Sequence, residues 1–375
     1  MSLSQINKKL ILVLFLVFAT SALYIFYSEN NEKHSDNFLG NINNNSIKIN
    51  VHPGDSIQQA INNTNSGGTV TVYPGSYKEN LVVDKSIVIT SNEGESADTI
   101  IQASDPERDI FYVTADNVTI SGFNITGAKS KAGIRYIGFN GNITGNKLVY
   151  NKYGISLKNS RNILIKNNTA LRNGYGFYFS NSSRNVLENN EVNNSSIGVY
   201  LENSTDNELN FNIASSNYDY AIYLKNSHNN WLKTNNIFGI WLWIQRKGIY
   251  LEDSDNNKII YNNISNTWDS INLTNSSDNE LNKNKVSLNY FSISLDNSNN
   301  NKLLNNTIDS NGYTYSISLG NSQNNILKGN IAGPNTEIKV IYDALNSTNN
   351  TLEGGIRNAD EPRKSTIKVK NIKSG

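Results

Sequence analysis

A short signature that returns at nearly constant spacing constrains the fold of this chain more than any other feature. It reads Asn/Asp-Ser-x-x-Asn-x-Leu/Ile, and a four-residue run such as Gly198-Val-Tyr-Leu precedes most copies. Successive runs begin 22, 22, 23, 27, 22, 22 and 24 residues apart. The signature itself begins at Asn181, Asn203, Asn226, Asp253, Asn275, Asn297, Asn321 and Asn346. Such spacing predicts a repeat protein in which each unit packs on its neighbours.

Each repeat holds three short segments in which apolar and polar residues alternate, separated by Asn, Ser and Gly. Alternation at period two is typical of β-strands, whereas a helix would show spacings of three and four. Three short strands in about 22 residues predict one coil of a parallel β-helix, with equivalent strands stacked about 4.8 Å apart. The fold class we expect is therefore an all-β solenoid of about 14 coils.

Asparagine accounts for 69 of the 375 residues, and the solenoid explains this excess. Asn tolerates the left-handed backbone conformation of turns better than other non-glycine residues. Side-chain amides stacked one coil apart can also bond to one another, which gives buried polar groups partners. One candidate ladder is formed by Asn190, Asn212, Asn235, Asn262, Asn284, Asn306 and Asn330.

The N-terminal segment has the pattern of an export signal. Lys8 and Lys9 precede a largely apolar run over residues 10–27, and polar residues follow it. The run suits an uncleaved membrane anchor or a signal cleaved after Ala22. We expect residues 1–27 to be this signal or anchor, residues 28–46 a polar tether, residues 47–353 the β-helix and residues 354–375 a basic tail. The chain would then lie outside the cytoplasm, secreted or anchored at the cell surface.

Composition excludes several function classes. The 33 Lys and Arg nearly cancel the 32 Asp and Glu, so the chain lacks the basic surface of a nucleic-acid-binding protein. There is no Cys, which removes disulfides, thiol catalysis and Cys-ligated metals.

At the start of the repeat region, Ile57, Ala60 and Ile61 fall on one face of a predicted helix that would plug the open end of the core.

The N-terminal coils carry a family resemblance. The segments Pro53-Gly-Asp-Ser-Ile-Gln-Gln-Ala-Ile61, Gly68-Thr-Val-Thr-Val-Tyr-Pro-Gly-Ser-Tyr-Lys-Glu79 and Asp116-Asn-Val-Thr-Ile-Ser-Gly-Phe123 resemble the opening of pectin-lyase-like right-handed β-helices. More narrowly, they resemble the NosD-type domains of carbohydrate-binding proteins and sugar hydrolases, which are frequent in cell-surface proteins of methanogenic archaea. The resemblance covers about residues 48–353. It implies a right-handed coil, whereas the superfamily includes lyases, hydrolases, epimerases and proteins of no known activity.

The cofactors and motifs that the resemblance would bring are mostly missing from the sequence. NosD-type proteins imply copper, but copper prefers imidazole, thiolate or thioether ligands and the chain offers three His, no Cys and one Met. The epimerase motif Asp-Pro-His is replaced by Asp105-Pro106-Glu107. The calcium-loop-like start at Asp253 has Lys258 at the sixth position and Ile264 at the twelfth, where Gly and an acid are required. We therefore expect no cofactor and predict no metal-ligating residue, with calcium left open although no motif supports it.

One outward column of the β-helix is a candidate glycan-binding surface. Within each four-residue run the flanking apolar residues point inward, so the residue between them points outward. Aromatic rings can lie against the apolar faces of sugars, and the alternative is that the tyrosines simply stack on one another. The 27-residue coil adds Trp241 and Trp243 in a predicted loop that would overhang this column, the alternative being that the loop folds back and buries both tryptophans. The column reads Ser156, Tyr178, Tyr200, Tyr223, Tyr250, Asn272, Ser294 and Ser318.

Four carboxylates and one arginine near this column are candidate catalytic groups. Glu202 and Glu252 share a column two coils apart, about 9–10 Å, near the upper limit for an inverting glycosidase. Lys225 stands between them, so an ordinary cross-strand charge ladder is the alternative. Asp219 and Arg246 could act as base and charge stabiliser, and Asp269 lies nearby.

The sequence thus favours an exported cell-surface β-helix protein whose partner is a polysaccharide or a cell-envelope glycan, with the membrane contacted only through the N-terminal segment. One alternative is a polysaccharide-active enzyme, such as a uronan lyase, an epimerase or a glycoside hydrolase. The other is a purely structural surface spacer.

Overall fold

The computed structural model describes residues 48–92, 98–239, 246–309, 316–332, 339–343, 347–353 and 368–372. Within them the chain forms an all-β, right-handed parallel solenoid with very little helix, which confirms the predicted fold class. The predicted signal or anchor, the tether, and Trp241 with Trp243 lie outside the described residues. No helix among the described residues is long and apolar enough to cross a membrane.

Three parallel sheets form the sides of the solenoid, and from Thr69–Val72 to Lys339–Asp343 each coil passes from the first sheet to the second and then to the third. The first sheet contains Lys48–Val51, Thr69–Val72, Val88–Ser91, Thr119–Ser121, Asn142–Thr144, Leu164–Lys166, Val186–Glu188, Glu208–Asn210, Trp231–Lys233, Lys258–Ile260, Glu280–Asn282, Lys302–Leu304, Ile326–Lys328 and Thr351–Glu353. The second contains Gly75–Lys78, Thr99–Gln102, Asn124–Thr126, Lys147–Val149, Thr169–Leu171, Glu191–Asn193, Ile213–Ser215, Asn236–Phe238, Asn263–Ser265, Lys285–Ser287, Thr307–Asp309 and Ile331–Ala332. The third contains Leu81–Val83, Phe111–Val113, Ala132–Tyr136, Tyr153–Lys158, Tyr175–Ser180, Ile197–Glu202, Tyr220–Lys225, Lys247–Glu252, Asp269–Thr274, Phe291–Asp296, Ile317–Gly320, Lys339–Asp343 and Lys368–Ile372. The solenoid has about 12 turns, slightly fewer than the 14 we expected.

The core is a set of apolar columns in register. In the first sheet Ile143 pairs with Ile120 and Ile165, and Ile165 pairs with Leu187. All four side chains are fully buried. Burying each such side chain stabilises the fold by about 1.5–3 kcal/mol, so alternation along short strands is enough to fix the register.

The predicted asparagine ladder is present and buried. The Asn190 backbone N–H and its Nδ2 both donate to Asn212 Oδ1, each over 3.0 Å, and Nδ2 also donates to the Ile165 carbonyl over 2.8 Å. The same arrangement repeats from Asn212 to Asn235 and from Asn235 to Asn262. Each amide therefore joins three consecutive coils at a corner where the sheet ladder is interrupted.

The repeat signature itself encodes two further ladders that sequence reasoning missed. Its first residue, as at Asn181, is an exposed corner residue with a φ of 50°. The serine after it accepts a backbone hydrogen bond from the preceding coil, as Ser204 Oγ does from the Ser182 N–H over 3.1 Å. The second Asn of the signature does the same: the Asn185 N–H donates to Asn207 Oδ1 over 3.0 Å. The signature thus twice places a left-handed residue, Asn181 or Arg184, directly before a buried hydrogen-bonding residue, Ser182 or Asn185.

A short helix at Ile57–Asn63 covers the N-terminal end of the core, as predicted, with Ile57 and Ile61 fully buried. Ser56 is its N-cap. Glu79 accepts hydrogen bonds from the first helical N–H groups, those of Ile57 and Gln58, over 2.8 and 3.0 Å. The Gln58 side chain bonds to both the N–H and the carbonyl of Val82, so it occupies the edge of the third sheet as a neighbouring strand would.

The segment after residue 353, which we predict to be a basic tail, contains one described strand. Lys368–Ile372 pairs in parallel with Lys339–Asp343 and extends the third sheet by one strand. Alternation of apolar and polar residues in Lys-Val-Lys-Asn-Ile is the signal for this strand, and it lies outside the 22-residue signature.

Replacing a ladder residue should destabilise the solenoid. Asn212→Ala removes the acceptor of the buried Asn190 N–H and the donor to the Leu187 carbonyl. We expect a loss of about 2–4 kcal/mol in the free energy of unfolding, because buried backbone groups lose their partners. The measurement is urea denaturation followed by circular dichroism. The matched control is Asn142→Ala, at an exposed strand position, which should change stability by less than about 0.5 kcal/mol. Equal effects of the two variants would show that the ladder adds no stability.

Candidate functional site: a tyrosine face flanked by carboxylates

The strands of the third sheet carry two outward columns because each bends at a small residue. Tyr153 pairs with Tyr175 and Ser156 pairs with Tyr178, whereas Gly154 between them does not pair with Gly176. A Cβ at Gly154 would lie 2.5 Å from the Gly176 carbonyl oxygen, so the backbones approach closely at this bend. The bend lets the residue before the glycine face outward together with the residue two positions after it.

The predicted outward column lies in register through eight coils, from Ser156 to Ser318. Its members are not equally accessible. Tyr178, Tyr200 and Tyr250 are half-buried, whereas Tyr223 is 9% exposed. Ser156 is fully buried, so the expectation that it lies on the open surface is wrong. Its neighbours in the column are Arg135 and Tyr178.

A second column of tyrosines, missed from the sequence, stands beside the first. Tyr153, Tyr175 and Tyr220 occupy the start of their strands and lie in one register column that continues to Lys247. The available signal was Tyr-Gly or Tyr-Ala at the start of the run. It was missed because strict alternation would direct these side chains inward. We call the following set the tyrosine face: Tyr153, Tyr175, Tyr178, Tyr200, Tyr220, Tyr223 and Tyr250.

The rings of the tyrosine face form one continuous stack. Tyr200 and Tyr223 are 4.8 Å apart between centroids with an interplanar angle of 15°, and Tyr220 and Tyr223 are 4.6 Å apart at 19°. Tyr250 closes the stack at 5.3 Å from both Tyr220 and Tyr223. Much of each ring face is therefore covered by another ring, as the stacking alternative predicts. Tyr178, Tyr200 and Tyr250 nevertheless remain partly exposed.

Carboxylates along one side of the face accept hydrogen bonds from its hydroxyls. Glu202 accepts from Tyr178 and, over 3.4 Å, from Tyr200. Glu252 accepts from Tyr223 and forms an ion pair with Lys225 over 3.5 Å. Glu202, Lys225 and Glu252 are register neighbours, so the column has the arrangement of a cross-strand charge ladder.

The other side of the face holds Asp219, Lys247 and Asp269. Lys247 Nζ lies 4.0 Å from the Tyr250 ring centroid, a cation–π contact, and Lys247 pairs in register with Asp269. Burial raises the pKa of Asp269, and the nearby Lys247 ammonium opposes that rise. Arg246 is exposed, and among the described residues no ion pair joins it to Asp219; its carbonyl accepts from the Asp269 N–H over 2.8 Å. The arrangement of Asp219 and Arg246 that we expected for proton abstraction is therefore not formed by direct contact.

Desolvation, with neighbouring charged groups as further causes, raises the pKa of five of the seven phenols of the face. Burial, followed by the hydrogen bond to Glu202, raises the pKa of Tyr178 to about 12. Burial and Glu252 raise the pKa of Tyr223, and burial and Glu202 raise that of Tyr200. The face thus presents hydroxyls that can accept hydrogen bonds beside carboxylates that can accept several more.

Comparison with known proteins identifies a family whose sequence profile matches this chain. The sequence profile of the family described as "Periplasmic copper-binding protein (NosD)" matches residues 61–242 and 239–361. The cell surface glycoprotein of Methanothermus fervidus is 40% identical over 76 residues, which are 20% of this chain and 12% of that protein. The matched segment is therefore a small part of that relative.

Three solved structures show how widely the fold is used. The catalytic unit of the GH87 α-1,3-glucanase of Streptomyces thermodiastaticus matches with a TM-score of 0.64 and 12% identity, over 88% of this chain and 71% of its own. The DFA-IIIase of Arthrobacter chlorophenolicus in complex with DFA-III gives 0.57 and 12%, over 82% and 94%. The A-module of the mannuronan C-5 epimerase AlgE4 of Azotobacter vinelandii gives 0.55 and 15%, over 85% and 93%. At these identities the similarity concerns the fold alone.

The side chains present do not fit the copper in that family description. His52 stacks on Tyr73 with centroids 4.2 Å apart, beside the N-terminal helix. His228 lies on a corner of a distant coil, where its Nδ1 accepts from the Asp255 N–H over 3.0 Å. Among the described residues no three His, Asp or Glu side chains are grouped so that they could hold a metal ion. The imidazole, thiolate and thioether ligands that copper prefers are thus not assembled in this part of the chain.

The raised phenol pKa values predict a pH dependence of stability above pH 10. A phenol has a pKa near 10 when unfolded, and that of Tyr178 is about 12 when folded. Its contribution to stability is therefore complete below pH 10 and is lost as the pH rises through 12. We expect the melting temperature to fall over this range, and to fall less in Tyr178→Phe than in the unchanged chain. The exposed Tyr261 gives the control variant Tyr261→Phe, which should not alter the slope. Identical slopes for Tyr178→Phe and the unchanged chain would contradict the prediction.

Proposed function

The chain belongs to the NosD family, and from that premise we propose that it is an exported cell-surface protein that binds polysaccharide or cell-envelope glycan on its tyrosine face. The family description is periplasmic and one relative is a cell surface glycoprotein, which supports a location outside the cytoplasm. The basic and apolar N-terminal segment supports export on independent grounds.

The observation that carries the binding proposal is the composition of the tyrosine face. Seven aromatic rings in two register columns lie on one side of a parallel sheet. A column with Glu202 and Glu252 runs beside them, and the Tyr220 column continues through Lys247 to Asp269. Glycans combine apolar ring faces with many hydroxyl groups, so aromatic edges and carboxylate acceptors side by side suit them. Because the columns run along the solenoid axis, a polymer lying on them would cross one coil about every 4.8 Å.

Stacking of the rings preorganises this surface for binding. Each tyrosine is held by neighbouring rings, and three hydroxyls are fixed by Glu202 or Glu252. A glycan therefore meets groups that have already lost their rotamer freedom, which lowers the entropic cost of binding. Stacking of the tyrosines on one another therefore supports glycan binding and does not compete with it.

Removing one ring from the centre of the face should weaken glycan binding. We expect Tyr200→Ala to reduce affinity for a bound polysaccharide about tenfold or more, because central aromatic anchors carry much of the binding free energy. The measurement is a panel of neutral and uronic-acid oligosaccharides titrated calorimetrically into the full chain in mild detergent. The control is Tyr261→Ala, which removes an exposed tyrosine at a corner away from the third sheet. Affinity unchanged in Tyr200→Ala, or reduced equally in Tyr261→Ala, would sink the proposal.

Polysaccharide cleavage is a second candidate function, and the position of Asp269 at the end of the Tyr220 column favours it. Burial raises the pKa of this carboxyl, the direction that a general acid requires, and the Lys247 ammonium opposes the rise. Asp219, Glu252 and Asp269 all act electrostatically on Tyr220, so they surround one part of the face. An acid and a second carboxylate are the groups that glycoside hydrolysis uses.

Turnover separates this candidate from a binding or purely structural surface. If the chain is an enzyme, new reducing ends or unsaturated ends should accumulate in the same oligosaccharide panel. Asp269→Asn should then lower the rate at least a hundredfold while binding remains, because the substitution removes the proton donor and keeps the shape. Turnover that persists in Asp269→Asn excludes this residue as the acid. Binding without turnover supports the binding function. The absence of both binding and turnover supports the structural spacer.

A further inference from the structure

A cleft of about 260 Å³ opens in the N-terminal coils, away from the tyrosine face. Its polar lining is contributed by Asn80, Glu107, Arg108, Asp109, Tyr112 and Lys131. In the sequence this segment contains Asp105-Pro106-Glu107, which differs from the epimerase motif Asp-Pro-His. The structure places that turn at the rim of the cleft.

The floor of the cleft is fixed by hydrogen bonds. Asn80 Nδ2 donates to the Asp109 and Asp105 carbonyls over 2.9 and 3.2 Å. Asn80 Oδ1 accepts from the Asp105 N–H over 2.8 Å and from Ser104 Oγ over 2.6 Å. One side chain thus holds both ends of the turn that carries Arg108, and the turn keeps its shape without a ligand.

The charges of the cleft are not balanced. Asp109 is paired with the Arg135 guanidinium over 2.9 Å and also accepts from the Ala132 N–H. Glu107 accepts from Ser130 Oγ over 2.6 Å. Arg108 and Lys131 are exposed, and no carboxylate among the described residues forms an ion pair with either. Two cations without an ion pair in the described part of the chain, Arg108 and Lys131, therefore line the cleft against one such carboxylate, Glu107. This excess of positive charge favours an anionic ligand.

The cleft and the tyrosine face lie on the same side of the solenoid. Tyr112, at the cleft, pairs in register with Arg135, which pairs with Ser156, which pairs with Tyr178. From Tyr112 to Tyr250 the column crosses six coil steps, or about 29 Å at about 4.8 Å per step. A single extended polymer lying along the axis can therefore contact both.

We propose that this cleft is an anion-binding subsite of the same glycan-binding surface, in which Arg108 and Lys131 bind an acidic substituent of a polymer whose neighbouring sugars lie on the tyrosine face. The inference rests on the proposed function and specifies its ligand as an acidic glycan. The anionic substituent is a carboxylate or a sulfate ester, since both accept hydrogen bonds from guanidinium and ammonium groups.

The test compares acidic and neutral forms of one oligosaccharide on the full chain in mild detergent. The probes are a ten-residue oligogalacturonate, its carboxyl-reduced neutral form and a sulfated derivative of that neutral form. We expect the unchanged chain to bind an acidic probe about threefold to tenfold more tightly than the neutral one, as two exposed ion pairs would allow. Arg108→Gln/Lys131→Gln should remove this preference and leave binding of the neutral probe unchanged. The preference should also shrink as salt is raised.

The control and the other outcomes keep this inference separate from the binding proposal. Lys78→Gln/Lys129→Gln removes two exposed charges outside the cleft, and should keep the preference. Equal binding of acidic and neutral probes, or a preference that survives in Arg108→Gln/Lys131→Gln, overturns the subsite and leaves Tyr200-dependent binding standing. Failure of every probe to bind overturns both proposals. A preference for the sulfated probe alone retains the subsite and identifies sulfate as its ligand.

Discussion

The hydrogen bond from a backbone N–H to the side-chain oxygen of an asparagine one coil later is the interaction on which this architecture depends. Sheets pair their own backbone groups, but a solenoid must turn a corner several times in every coil, and there the ladder is interrupted. A buried N–H without a partner costs about as much as a lost hydrogen bond. Asn190, Asn185 and Ser182 show three versions of the same solution, and each uses a side chain to continue the ladder through the turn.

Much of the fold followed from the sequence because its determinants repeat. The Asn190 column, the inward Ile and Leu columns and the helix at Ile57–Asn63 each rest on a periodicity or a cap that a single coil contains. The strand at Lys368–Ile372 did not follow, because it carries no signature and depends on pairing with Lys339–Asp343. Local patterns cannot reveal a partner that is distant in sequence and unmarked.

The candidate site was less predictable than the fold. Strict alternation identified Tyr178, Tyr200, Tyr223 and Tyr250 but hid Tyr153 and Tyr220, because the bend at the small residue shifts the phase of the strand by one position. The hydrogen bonds that Glu202 and Glu252 accept from tyrosine hydroxyls were not predicted either, since they depend on side-chain rotamers and not on the alternation pattern.

The corner ladders also bear on how such a chain can change in length. The bond from the Asn235 N–H to Asn262 Oδ1 spans 27 residues, and that from Asn190 to Asn212 spans 22, yet their lengths are 2.9 and 3.0 Å. The ladder bond therefore keeps its length whether 22 or 27 residues separate the two positions that it joins. Gene duplication or deletion of a whole repeat would leave every remaining acceptor opposite a donor. Coil number can thus drift between descendants while the chemistry displayed on one side evolves separately.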